Sequence, residues 1–147
     1  MIHSERIKNL NSHSEKAGEY VVYWMQQSAR AHYNHALELA LQHAAALELP
    51  LLVVFVLTDN FPEANLRHYR FLLEGLEDTR ARLVDRGIQF TLLRGEPVAA
   101  VTAVAARAAM LVCDCGYLRI QRQWRAAIAG SIECRCVQVE SDVTVPV

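Results

Sequence analysis

Leu51-Leu52-Val53-Val54-Phe55-Val56-Leu57 is an unbroken apolar run, closed off from the preceding segment by Pro50. Its length suits a strand rather than a helix, and its lack of polar alternation means that both faces of that strand are buried. Helical patterns stand on either side of it. Before it, Ala36, Leu37, Ala40, Leu41, Ala44 and Leu47 fall on one helical face. After it, Pro62 ends an extended segment, Asn65 can cap a helix, and Leu66, Tyr69, Leu73 and Leu76 recur as one apolar stripe. That second helix runs through Leu83 toward Gly87, where glycine fits a C-terminal cap. A strand covered on both faces and flanked by two helices is the repeating unit of a parallel sheet.

Working outward, the alternation continues. Residues 20–25 (YVVYWM) form a first strand, 88–93 (IQFTLL) a third, 110–114 (MLVCD) a fourth and 134–139 (CRCVQV) a fifth. Helices are expected over 97–109 and 118–129. Right-handed crossovers leave few topologies for such a series. The expected fold is α/β: a doubly wound, five-stranded parallel sheet of the Rossmann-like kind, with helices on both faces. Such sheets bind ligands beyond the carboxyl ends of their strands, which singles out residues 25–28, 58–60, 94–96 and 114–117. Residues 1–19 read as a polar lead-in, 20–141 as the α/β domain and 142–147 as the start of a linker.

The chain has 147 residues, 52% of them hydrophobic, which suits one domain with a sizeable core. Its net charge of -1 lacks the basic excess of a protein that holds DNA mainly through phosphate contacts. No signal-peptide core and no membrane-length apolar run is present, so a cytoplasmic protein with no membrane partner is expected.

The chemistry-bearing residues point mostly to structural roles. His32 and His35 lack the spacing of a helical zinc pair. Cys113 with Cys115, and Cys134 with Cys136, alternate on two strands, and core packing is favoured over a thiolate metal site or a disulfide. Gly75, Gly95 and Gly116 stand alone, and no phosphate-binding glycine loop is formed. Arg119, Arg122 and Arg125 recur opposite Ile120, Trp124, Ala127 and Ile128, the pattern of a solvated basic face. Arg67 and Arg70 are read in the same way, and Trp24 and Trp124 as core anchors. No nucleophile with its base emerges.

Several segments nevertheless carry a family likeness. Residues 61–76 (FPEANLRHYRFLLEGL), Tyr23-Trp24-Met25, Arg30 with Asn34-His35-Ala36-Leu37, Arg94-Gly95, and residues 116–125 (GYLRIQRQWR) resemble the class II DNA photolyases, in the same order along the chain. The resemblance spans nearly the whole sequence, including the lead-in from Ile2 to Leu10.

It implies the N-terminal α/β domain of a cyclobutane pyrimidine dimer photolyase, which can hold a deazaflavin or folate antenna. In that family a helical C-terminal domain binds FAD, flips the dimer out of damaged DNA and splits it by light-driven electron transfer. No positions for that domain exist here, so the chain is expected to be a piece of a longer protein or a truncated product, inactive in repair by itself. Antenna contacts map by resemblance to Met25, Gln26, Gln27, Asp114, Cys115 and Tyr117, with no catalytic and no metal residues. Gln27 and Cys115 stand where family members often carry charge. Two other readings stay open: a free-standing small-molecule or nucleotide-binding module, and a homo-oligomer formed through the face meant for the FAD domain.

Overall fold

The computed structural model describes residues 4–26, 31, 34–58 and 66–141, the side chains of Leu66 and His68 excepted. The elements are β1 (Ile7–Asn9), β2 (Tyr20–Trp24), α1 (His35–Leu47), β3 (Leu51–Leu57), α2 (Leu66–Asp85), β4 (Gln89–Arg94), α3 (Pro97–Ala105), β5 (Ala108–Asp114), α4 (Arg119–Ser131) and β6 (Arg135–Val139). They build one sheet in the order β1-β6-β5-β2-β3-β4. Every neighbouring pair from β6 to β4 is parallel, as expected.

The sheet has six strands, not five. Ile7–Asn9, in the segment read as a polar lead-in, pairs antiparallel with β6. The signal was invisible because a three-residue edge strand with only Ile7 partly covered shows no apolar alternation. Asn11 prolongs the pairing with its side chain, donating to the Cys134 carbonyl at 3.0 Å and accepting from the Cys136 N–H at 3.2 Å. The edge of β6 is thereby covered, which removes a template for pairing with another chain.

Alternation along the strands divides the core in two. Val21, Tyr23, Met110, Val112, Val137 and Val139 point to the side of α1 and α2. Val22, Trp24, Leu111, Cys113, Cys134 and Cys136 point to the side of α3 and α4. Trp24 is a buried anchor and Trp124 packs at the margin of the same layer.

Three sequence expectations are corrected in detail. The buried stripe of α2 runs through Leu72, Leu76, Thr79 and Leu83, while Leu73 is 41% exposed. Leu72 sits one position behind Leu73, so the inward face is rotated by about 100° of helix. The capping role given to Asn65 lies outside the described residues. Helix α3 ends at Ala105 rather than Ala109, because Ala108 and Ala109 already belong to buried β5. Finally, Arg125 does not lie on a solvated face: it is 6% exposed, next to buried Ile128 and Ala129. Gly87 does end α2, with φ of +76°.

Candidate functional site

Strand β2 lies between β3 and β5, and the chain leaves these neighbours in opposite directions. From β2 it turns to α1 on one face; from β5 it turns to α4 on the other. The carboxyl ends of β2 and β5 therefore diverge, and the crevice between them is where such sheets bind ligands.

A buried hydrogen-bond relay ties the ends of β2 and β5 to the start of α1. The Tyr23 hydroxyl donates to Asp114 Oδ1 at 2.7 Å, and the Gln26 backbone N–H donates to Asp114 Oδ2 at 2.8 Å. Asn34 Nδ2 donates to the Tyr23 oxygen at 3.0 Å, while Asn34 Oδ1 caps α1 by accepting from the Leu37 N–H at 3.0 Å. Ser141, just past β6, accepts from the Ala36 N–H at 3.2 Å and reaches Asn34 Oδ1 at 3.5 Å. Tyr23, Asn34 and Asp114 are all essentially buried, so each bond replaces a lost contact with water.

The opposite wall is built by the turn after β5. Gly116 gives the Gln121 side chain its room: a Cβ there would fall 2.3 Å from Gln121 Oε1, so a larger residue requires that side chain to move. Gln121, itself buried, accepts from the Leu118 N–H at 3.2 Å and so ties the turn to the first turn of α4. Arg125 lies one helical turn further on, under the same loop. Tyr117 donates its hydroxyl to the Glu140 carboxylate, linking this turn to the end of β6.

The residues singled out as antenna contacts are thus placed differently from one another. Met25 is wholly buried in the α1-side core. Both oxygens of Asp114 are engaged by β2 and its following turn. Gln26 is half-buried, with Nε2 and Oε1 both shielded from solvent and, among the described residues, without hydrogen-bond partners. Cys115 is half-buried and accepts from Gln138 Nε2 at 3.5 Å. Tyr117 is 50% exposed. Gln27 lies outside the described residues. Tyr23, Asn34, Ser141, Gln121 and Arg125 were not singled out as contributors to this edge. Tyr23 and Asn34 stood inside the fingerprint segments, but a fingerprint names positions without saying which partner each one holds.

A hydrogen bond with Cys136, whose sulfur is 4.0 Å away, and burial hold the Cys113 thiol well above its ordinary pKa. Burial raises Cys115 as well, against the opposing pull of the Arg125 charge. The 4.0 Å separation is non-bonded, about twice the length of a disulfide.

Tyr117 supplies a pH prediction. Its hydrogen bond to Glu140, followed by burial, raises the phenol above its usual pKa near 10. The folded state holds this proton more tightly, so the contribution is complete below the unfolded pKa and fades as pH rises toward the higher folded value. Ultraviolet titration of tyrosinate should therefore lose one late-ionising group in Tyr117→Phe, and that variant's stability should fall less than the native chain's between pH 10 and 11. Identical titration curves would contradict the assignment.

Comparisons with known proteins agree with this architecture. The DNA photolyase family model matches residues 21–147. The deoxyribodipyrimidine photo-lyase of Methanothermobacter thermautotrophicus is 53% identical across 100% of this chain and 33% of its own length. That of Potorous tridactylus is 30% identical over 96% of this chain and 27% of its own. The chain thus spans about a third or less of these relatives. A bacterial class III photolyase from Agrobacterium tumefaciens superposes with a TM-score of 0.69 at 15% identity, over 86% of this chain and 27% of that one. A universal stress protein solved in complex with cAMP gives 0.58 at 18% identity, over 86% of this chain and all of that one. These two share the fold alone. The sequence match is of another order, because it runs through all nine elements from β2 to β6: this chain belongs to the DNA photolyase family.

Proposed function

We propose that this chain is the N-terminal domain of a class II cyclobutane pyrimidine dimer photolyase, and that its strand-end crevice receives an antenna chromophore, a deazaflavin or a folate. The single observation that carries the antenna reading is the Gln26 carboxamide, shielded at the diverging ends of β2 and β5, where neither polar atom has a partner among the described residues. A ring system with hydrogen-bonding edges satisfies such a group. Gln26, Cys115 and Tyr117 would hold it, with Asp114 fixing the Gln26 backbone from behind. The chromophore would supply light absorption and energy transfer; the protein supplies position and exclusion of water. Class II membership is supported by the ordered fingerprint segments, of which 116–125 forms one wall of the crevice.

Dimer splitting belongs, on this reading, to a FAD-binding part of the longer relatives outside the third or less of their length that this chain spans. Damaged DNA would be engaged through that domain, in keeping with the net charge of -1. Two measurements test the proposal. Mixing the chain with a deazaflavin or a folate should give a shifted absorption band that co-elutes with protein. Incubating it with FAD and dimer-containing DNA under blue light should restore no intact pyrimidines. Free chromophore after gel filtration sinks the antenna reading, and repaired DNA sinks the division of labour.

A second reading is favoured by the shared fold of the universal stress protein whose structure holds cAMP. A stand-alone nucleotide-binding module would be stabilised selectively by ATP or FMN rather than by a deazaflavin, since a ligand shifts the melting point only of the state that binds it.

A further inference from the structure

Three of the six exposed large apolar side chains among the described residues gather at one margin of the sheet. Leu73 is 41% exposed, Val84 54% and Leu92 43%. Strand β4 is the outer strand on that side, while the other end of the sheet is closed by β1. Leu92 pairs in register with Phe55, a member of the core layer beneath α1 and α2, so it stands on the face that α2 covers. Helix α1 packs over β2 and β5, and α2 over β4.

The rotation of α2 shows where Leu73 and Val84 lie. Its inward stripe is Leu72, Leu76, Thr79 and Leu83. Just beyond one border of that stripe Arg86 reaches across to α1, donating to Glu38 Oε1 at 3.1 Å and to the Ala31 carbonyl at 2.6 Å. At about 100° per residue, Leu73, Glu77, Arg80 and Val84 fall within about 60° of one another, beyond the opposite border. That flank is turned away from α1 and toward the open edge of β4.

Two properties of this margin identify its occupant. The flank repeats at intervals of four, three and four residues, the spacing of a coiled-coil seam, and reads apolar, acid, base, apolar. Reversing that order sets acid against base and apolar against apolar, so a two-fold axis through its midpoint places Leu73 on the partner's Val84 and Glu77 on the partner's Arg80. Glu77 and Arg80 are exposed and pair within one chain at 3.0 Å, so exchange between copies keeps both charges matched. The same axis sets the two β4 edges antiparallel. Residues 89–94 contain no proline and no lysine, and their register with β3 steps without a bulge, so these devices against edge pairing are absent from β4.

We propose that this margin, the outer flank of α2 with the open edge of β4, is a self-association surface whose partner is a second copy of the chain, docked about a two-fold axis. Leu73, Val84 and Leu92 are covered in the contact, the Glu77 and Arg80 charges pair across it, and the two six-stranded sheets join edge to edge.

Sedimentation equilibrium tests it. The native chain should show a mass that rises with concentration from 16.6 kDa toward twice that value. Glu77→Arg and Arg80→Glu, each alone, set like charges across the axis and should weaken the dimer about tenfold or more. Mixed in equal amounts, the two variants should recover the dimer as a heterodimer, because the arginines of one then face the glutamates of the other. Misfolding of either variant could not produce that recovery. Val84→Glu and Leu92→Lys change exposed positions and should give monomers with an unchanged far-ultraviolet circular dichroism spectrum. A native mass that stays at one chain up to about 100 μM overturns the proposal and leaves the margin to a different partner or to none. A dimer that survives Val84→Glu and Leu92→Lys, or no recovery on mixing the charge variants, overturns it as well, since self-association would then run through another face.

Discussion

Asp114→Ala is expected to destabilise the domain by about 3 kcal/mol or more, because it strips the acceptor from two buried donors at once. The Tyr23 hydroxyl and the Gln26 N–H both end on this carboxylate, at 2.7 and 2.8 Å, and Asp114 is 1% exposed. A donor left unsatisfied in the interior costs about 1–3 kcal/mol, and alanine cannot relieve either one. Tyr23→Phe removes one donor together with its need and should cost only about 1 kcal/mol. Urea unfolding of the two single variants and the double variant separates these contributions. In the Tyr23→Phe background the Asp114→Ala penalty should shrink, since one orphan is no longer created. A penalty for Asp114→Ala below about 1 kcal/mol would mean that water replaces the carboxylate freely, and that the relay does not set the crevice.

The same relay gives the fingerprint residues Tyr23 and Asn34 a structural role. Tyr23, Asn34 and Asp114 come from β2, the start of α1 and the end of β5. They meet only because the sheet brings those ends together. Their joint effect is to fix the Gln26 backbone and the N-terminus of α1 on one side of the opening, while Gly116 and Gln121 fix the other. These strand ends are held by hydrogen bonds, while Gln26 Nε2 and Oε1 and Arg125 Nη1 have no partner among the described residues.

How much of this was legible in the sequence follows from the range of each interaction. Leu51–Leu57 announced itself because both faces of a central strand are apolar, a local property of seven adjacent residues. The parallel order followed from alternation and handedness. The edge strand Ile7–Asn9 had no such signal, since its pairing depends on backbone groups of β6, which are far away in sequence. Leu73 and Leu72 are equally apolar, and only the angle at which α2 meets the sheet decides which is covered. Arg125 looked solvated because arginine usually is; its burial, at 6% exposed, is a tertiary fact. Gln26 and Cys115 could be placed at the strand ends from alternation alone, but whether their polar atoms were satisfied could not.

Gly18→Ala should cost about 3 kcal/mol, although nothing in the sequence marks this glycine and its backbone is not in the left-handed region. The reason is contact rather than conformation. Before entering β2 the chain runs against the start of β5, with the Lys16 N–H on the Ala109 carbonyl at 3.2 Å and the Glu19 N–H on the Arg107 carbonyl at 2.8 Å. Gly18 lies between these two bonds, and a Cβ there would fall 2.4 Å from Ala109 N, 2.6 Å from the Ala108 carbonyl carbon and 2.9 Å from the Arg107 oxygen. All three atoms are backbone, two of them in β5, which is buried along its whole length, so none can yield as a flexible side chain would. The methyl must push the two segments apart, breaking both flanking hydrogen bonds and loosening the register of β2, the central strand from which the crevice hangs. Gly75→Ala is the control: it sits on the exposed face of α2 with nothing within 4 Å, and should stabilise the helix by about 0.5–1 kcal/mol. Chemical denaturation should therefore move the two alanine variants in opposite directions. A Gly18→Ala midpoint equal to that of the native chain would show that the lead-in can lift off β5 at no cost, and that the sheet does not depend on it.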